Sequence, residues 1–125
     1  MHDIAIIQGI LDAVLERAKG RNLKLIELDI EIGALKFVEP ENARFWLKEM
    51  LKKEFGPKLR AKISIKTIEP EIKCKCGFQG NAKEVHATHD MVHAGIFEMH
   101  CPKCNGHDFE TVKGKEVLIR GMEFR

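Results

Sequence analysis

All four cysteines of this 125-residue chain fall into two pairs, Cys74-Lys75-Cys76 and Cys101-Pro102-Lys103-Cys104. Gly77 follows the first pair and Pro102 sits inside the second, so each pair is built into a turn. Two such knuckles can bring four sulfurs to the corners of a tetrahedron. Zn(II) favours that shape, with Zn–S arms of about 2.3 Å and soft thiolate donors. Four cysteinates leave no position for a water, so the expected role of such a zinc is structural, not catalytic. The second pair has the common C-x2-C spacing; the first, C-x-C, is one residue shorter and needs a tighter knuckle. Two disulfides or an iron–sulfur cluster are the other uses of four cysteines. A C-x-C disulfide would close a very small, strained ring.

The start of the chain, Met1-His2-Asp3, offers a second kind of metal chemistry. The α-amine of Met1, the backbone nitrogen of His2 and its imidazole can form fused chelate rings around one ion. The backbone nitrogen of Asp3 would complete a plane of four nitrogens, the arrangement that suits Ni(II) and Cu(II) rather than Zn(II). The competing reading makes His2 an incidental surface residue beside Asp3 as a helix N-cap.

Five of the six histidines crowd the cysteine segment: His86, His89, His93, His100 and His107. On a helix, the first three would share one face. Each read singly is a solvated or hydrogen-bonded histidine. Read together, one or more could extend the N-terminal metal site with an axial imidazole, with His89 the first choice and His93 the second.

No catalytic constellation accompanies these ligands. There is no phosphate-binding glycine loop, no G-x-S-x-G and no H-E-x-x-H, so the chain is expected not to be an enzyme. Lys and Arg number 21 against 19 Asp and Glu, a net charge of +2, and seven Phe, one Trp and no Tyr make up the aromatics. That balance lacks the basic face and stacking platform of a nucleic-acid binder. It argues against the rival reading, a zinc-ribbon module that binds nucleic acid or protein. No apolar run is long enough to span a membrane and no secretory pattern opens the sequence, so no membrane association and a cytoplasmic location are expected.

The elements that must position these groups can be read from periodicity. Ile4, Ile7, Leu11, Val14, Leu15 and Ala18 recur at three and four, predicting a helix over 4–19 that Gly20 ends. Ile26, Leu28, Ile30 and Ile32 alternate with acids, predicting a half-buried strand over 24–32. Glu39-Pro40-Glu41 opens a second helix, with Phe45, Trp46, Met50, Leu51 and Phe55 as its expected buried side. Strands follow near 62–68 and 71–73, then 109–112 and 116–124 after the cysteine segment. The fold class expected is α+β: a small mixed three-stranded sheet with two helices on one face, plus an inserted zinc-ribbon-like module. The boundaries expected are 1–72 with 111–125 for the α/β domain that carries the nickel site, and 73–110 for the four-cysteine insert. A module hung between elements could exchange between copies, giving a homodimer.

The order of these features resembles the HypA family, the nickel-delivery proteins of [NiFe]-hydrogenase maturation. The resemblance covers essentially the whole chain. It rests on Met1-His2 followed by an acid and an amphipathic helix, on Ile32-Gly33-Ala34-Leu35 with Val38-Glu39-Pro40-Glu41, on the two cysteine pairs, and on the closing strand. It implies a nickel metallochaperone with Ni(II) at Met1, His2 and Asp3, and Zn(II) held structurally by Cys74, Cys76, Cys101 and Cys104. It also implies two partners, a HypB-like GTPase and the hydrogenase large subunit. This chain departs from the family's usual pattern at three places. Asp3 stands where Glu is usual, Ala34 stands where many members carry an acid, and the first cysteine pair is C-x-C where many have C-x2-C.

Overall fold

The computed structural model describes residues 2–82 and 99–125, with His2 described by its backbone alone. Met1, His86, His89, His93 and the imidazole of His2 lie outside the described residues. The chain divides into two compact units: Met1–Ile32, Val38–Thr67 and Val117–Arg125 form one, and Gly33–Phe37 and Ile68–Glu116 form the other.

In the first unit, helix α1 runs His2–Ala18. It begins two residues earlier than periodicity suggests, so Asp3 lies inside its first turn and is not its N-cap. First-turn amides need no acceptor within the helix, so this extension costs no internal hydrogen bond, and an acid there complements the helix dipole. Ile7, Ile10, Leu11, Val14 and Ala18 are buried, while Ile4 is exposed. Gly20, with φ of 74°, takes the left-handed conformation that turns the chain away.

Strand β1, Leu25–Gly33, buries Ile26, Leu28, Ile30 and Ile32, the alternation read from the sequence. Helix α2, Pro40–Phe55, starts with Pro at its first position behind Glu39, whose carboxylate accepts the Glu41 N–H at 3.2 Å. Its buried face is Ala43, Leu47 and Leu51. Phe45 and Trp46, expected inside, are exposed and stack edge-to-face on each other instead, with ring centroids 5.2 Å apart. The small Ala43 lets the helix approach the sheet and sets the phase of the stripe; the two aromatics then fall off it.

Strands β2, Arg60–Ile68, and β6, Val117–Phe124, flank β1 in the order β2-β1-β6. The Arg60 N–H donates to the Lys24 carbonyl at 2.9 Å, so β1 and β2 start side by side and run parallel, joined by α2 as crossover. Strand β6 is antiparallel to β1, from Ile26 opposite Phe124 to Ile32 opposite Val117, with one register shift between Asp29 and Ile30. The sheet is therefore mixed. Both helices pack on its one apolar face, where Ile7, Val14, Leu47 and Leu51 meet Ile26, Ile30 and Ile63. No helix among the described residues is long and apolar enough to cross a membrane.

The second unit has its own sheet, order β4-β3-β5, from Glu71–Cys74 (β3), Gln79–Asn81 (β4) and Phe109–Lys113 (β5). Both outer strands run antiparallel to β3. The sequence places residues up to 72 and from 111 onward with the first domain. Here Glu71 pairs with Lys113 and Cys74 with Phe109, which carries those strands into the second unit. Leu35, in the 3-10 turn Ala34–Lys36, packs on this unit's core. The Leu35 N–H donates to the Gly114 carbonyl at 2.8 Å, and the Gly33 N–H to that of Glu116 at 2.8 Å. A Cβ on Gly33 would overlap the backbone of Gly114, so glycine there is a requirement of close approach.

Gly33→Ala should therefore force the backbone apart and lower stability by about 1–3 kcal/mol in urea melts of the zinc-loaded protein. Gly121→Ala, whose Cβ would meet only Asp29 Cβ at 3.7 Å, should stay within about 0.5 kcal/mol. Equal effects would contradict the crowding at Gly33.

Candidate metal centre

Strand β3 delivers Cys74, and the chain then reverses into β4 through Cys76 and Gly77. The Cys74 N–H donates to the Phe78 carbonyl at 2.8 Å and the Gly77 N–H to that of Cys74 at 3.0 Å. Gly77 has φ of 100°, a conformation that costs glycine little, and this lets a C-x-C pair close a knuckle. The second knuckle is closed by Cys101 N–H to Gly106 carbonyl at 3.0 Å and Asn105 N–H to Cys101 carbonyl at 2.9 Å. Asn105, at φ of 61°, is the residue type after glycine that best tolerates that turn.

The four sulfurs lie within 4.8 Å of one another. Cys74 Sγ is 3.6 Å from Cys104 Sγ, and Cys76 Sγ is 3.7 Å from Cys101 Sγ. A tetrahedron with arms of about 2.3 Å has edges of about 3.8 Å, so these separations fit one zinc ion. All four cysteines are free. A multi-iron cluster spreads its thiolates around several metal atoms and would need a wider cage. Cys74 and Cys101 are buried, Cys76 and Cys104 exposed, so the cage has an inner and an outer pair.

Groups that the spacing does not reveal complete the surroundings. The Gly106 N–H donates to Cys104 Sγ at 3.4 Å, and the Cys74 thiol points at the Asp108 carbonyl at 3.6 Å. Lys75 Nζ meets the Asp108 carboxylate at 3.4 Å, an exposed pair linking the two knuckles. Asn105-Gly106 was the readable signal for the first of these, since it marks a turn. Nothing in the sequence flags Asp108.

Without a metal the sulfurs do not share charge equally. The Cys101 thiol falls from 9.0 to about 7: burial opposes ionisation, but the N–H groups of Cys104 and Lys103 and the thiols of Cys76 and Cys74 outweigh it. The Cys74 thiol is pushed up to about 12: the Cys76 N–H favours its thiolate, but burial and the sulfurs of Cys76, Cys104 and Cys101 outweigh that. One thiolate among neighbouring thiols relieves the repulsion of like charges, and a bound dication removes it.

Of the other candidate ligands, Asp3 is half-buried in the first turn of α1. His100 and His107 flank the second knuckle with ring centroids 6.4 Å apart. Met1, the His2 imidazole, His89 and His93 are outside the described residues. Among the described residues, the four cysteines form the one group of such side chains placed to hold a metal.

The chain matches, over residues 1–124, the family model described as "Hydrogenase/urease nickel incorporation, metallochaperone, hypA". It is 32% identical to the hydrogenase maturation factor HypA of Pyrococcus abyssi and 33% identical to that of Thermococcus onnurineus. Each match covers 98% of this chain and 95% of the relative. Its fold is similar to the solution structure of the Ni metallochaperone HypA from Helicobacter pylori, with TM-score 0.58 and 17% identity over 99% of this chain and 97% of that one. A second HypA solution structure gives a TM-score of 0.60 at 16% identity, over 100% of this chain and 97% of that one.

The sulfur charges make a pH prediction. Because the assembled site holds Cys101 below its free value of 9.0, its ionisation supports assembly above that value and the support is lost as pH falls through about 7. Zinc affinity, measured by chelator competition, should fall with pH and fall more steeply below about pH 7, where one further proton must leave per zinc bound. A slope with no break there would mean that the sulfurs are not assembled before the metal arrives.

Proposed function

The chain belongs to the HypA family, and from that premise we propose that it is a nickel metallochaperone that binds Ni(II) at its N-terminus and delivers it in [NiFe]-hydrogenase maturation. The observation that carries the reading is the family match over residues 1–124. It favours metal delivery over the zinc-ribbon alternative, in which the cysteine unit would be the business end.

Two kinds of site divide the work. Cys74, Cys76, Cys101 and Cys104 hold a resident Zn(II) that folds the second unit, and the sulfur geometry supports this. Nickel is cargo, taken by the α-amine of Met1, the imidazole of His2 and the first-turn amides. The start of α1 at His2 supports that assignment, since it brings the backbone nitrogens of His2 and Asp3 together in the first turn of the helix. Asp3 contributes its backbone nitrogen or its carboxylate, and His89 or His93 adds an imidazole. A site with few protein donors at a chain end suits an ion that must be given up again.

The cytoplasm is the proposed setting. A HypB-like GTPase and the hydrogenase large subunit are the proposed partners, and the family's association with hydrogenase maturation supports them. No membrane or nucleic acid enters the scheme.

In tag-free protein, His2→Ala should weaken nickel binding at least about tenfold in a calorimetric titration, and one extra residue ahead of Met1 should do the same. Zinc content should not change in either variant. Cys104→Ser should lower zinc content while the N-terminal nickel site survives. Nickel uptake that ignores both N-terminal changes would sink the assignment.

A further inference from the structure

A cleft of about 500 Å³ lies along β6 in the first unit. Arg17, in the last turn of α1, and Arg21, just after it, form one wall, and Arg120 of β6 the other. Ile119, Met122 and Phe124 supply an apolar floor. Arg21 lies over the Phe124 ring, its Cζ 5.5 Å from the centroid. Arg120 is shared with Glu31 at 2.8 Å. Neither Arg17 nor Arg21 has a carboxylate partner among the described residues, and no acid lines the cleft.

The backbone beneath is open as well. Strand β6 is an edge of its sheet among the described residues. Leu25 and Arg125 exchange both backbone hydrogen bonds, at 3.0 and 2.9 Å. Alternation from that pair, in the register that sets Ile26 opposite Phe124 and Leu28 opposite Met122, turns the amides and carbonyls of Phe124 and Met122 to the free edge. The cleft wraps this edge, since Arg120 is exposed on one side of the strand while the apolar floor lies on the helix side.

We infer that the β6 edge is a docking surface for an extended acidic segment of a partner protein, which adds to the sheet as a further strand. Its backbone pairs with Met122 and Phe124, its carboxylates meet the three guanidinium groups, and its small apolar side chains lie on Ile119 and Phe124. Guanidinium forks match carboxylates in pairs, and main-chain pairing gives affinity while side chains give selectivity. A free phosphate would answer the arginines but leave the floor and the edge unused. The inference does not depend on nickel binding.

The test uses the zinc-loaded full chain and a fluorescent capped peptide of about eight residues alternating Glu and Val, followed by anisotropy. The Glu/Val peptide should bind and a Lys/Val peptide should not. Replacing Arg17→Gln and Arg21→Gln together should weaken binding at least about tenfold, with nickel and zinc uptake unchanged as the check on folding. N-methylation of the peptide backbone, which leaves every carboxylate in place, should weaken it as much without touching the protein. The idea is overturned by no binding, by an unaffected arginine variant, or by binding that survives N-methylation. Displacement by inorganic phosphate at concentrations as low as the peptide's would equally reduce the cleft to a simple anion site.

Discussion

Four sulfurs within 4.8 Å of one another are the constraint on which the second unit rests. Among the described residues, its buried apolar cluster is Ile72, Met99 and two of the cysteines themselves, Cys74 and Cys101. Two of its four members are therefore ligand residues, so packing and coordination involve the same side chains. Holding four thiolates on one ion orders the strands and turns that carry them, so the energy of coordination is folding energy. The first unit rests on different physics. Its two helices and three strands enclose a single apolar cluster that needs no ion.

This division explains what the sequence makes legible. In the first unit the side-chain periods are imposed by one buried face, so β1 and α1 can be read directly: Ile26, Leu28, Ile30 and Ile32 alternate because every second residue meets the helices. The reading fails in α2 for a physical reason. Phe45 and Trp46 are large and apolar, yet the helix phase is set by Ala43, Leu47 and Leu51, and a small alanine carries little weight in any hydrophobic pattern. In the second unit the cysteine spacing announces the cage. The strands around it do not announce their sheet: Glu71–Cys74 and Phe109–Lys113 carry no mark separating them from the strands of the first unit. Gln79–Asn81 has no apolar alternation at all and is a strand only because β3 lies beside it.

The short first cysteine pair shows how a departure from common spacing is absorbed. One residue fewer between Cys74 and Cys76 shortens the reach of the turn. Gly77, at φ of 100°, and the 2.8 Å bond from the Cys74 N–H to the Phe78 carbonyl bring the chain round regardless. The sulfurs still meet those of the second knuckle at 3.6 and 3.7 Å. Geometry at the metal is thus preserved by the residue after the pair and not by the pair itself.

The pairing of β1 with β6 joins residues near opposite ends of the chain, Ile26 with Phe124. During synthesis β6 leaves the ribosome after every cysteine has already emerged. The first sheet must wait for its last strand, whereas the thiols of the second unit are together and able to capture zinc before that strand exists. Order of manufacture and order of sequence therefore differ: the module inserted into the chain can mature first, and the unit whose first strand precedes it is the last to close.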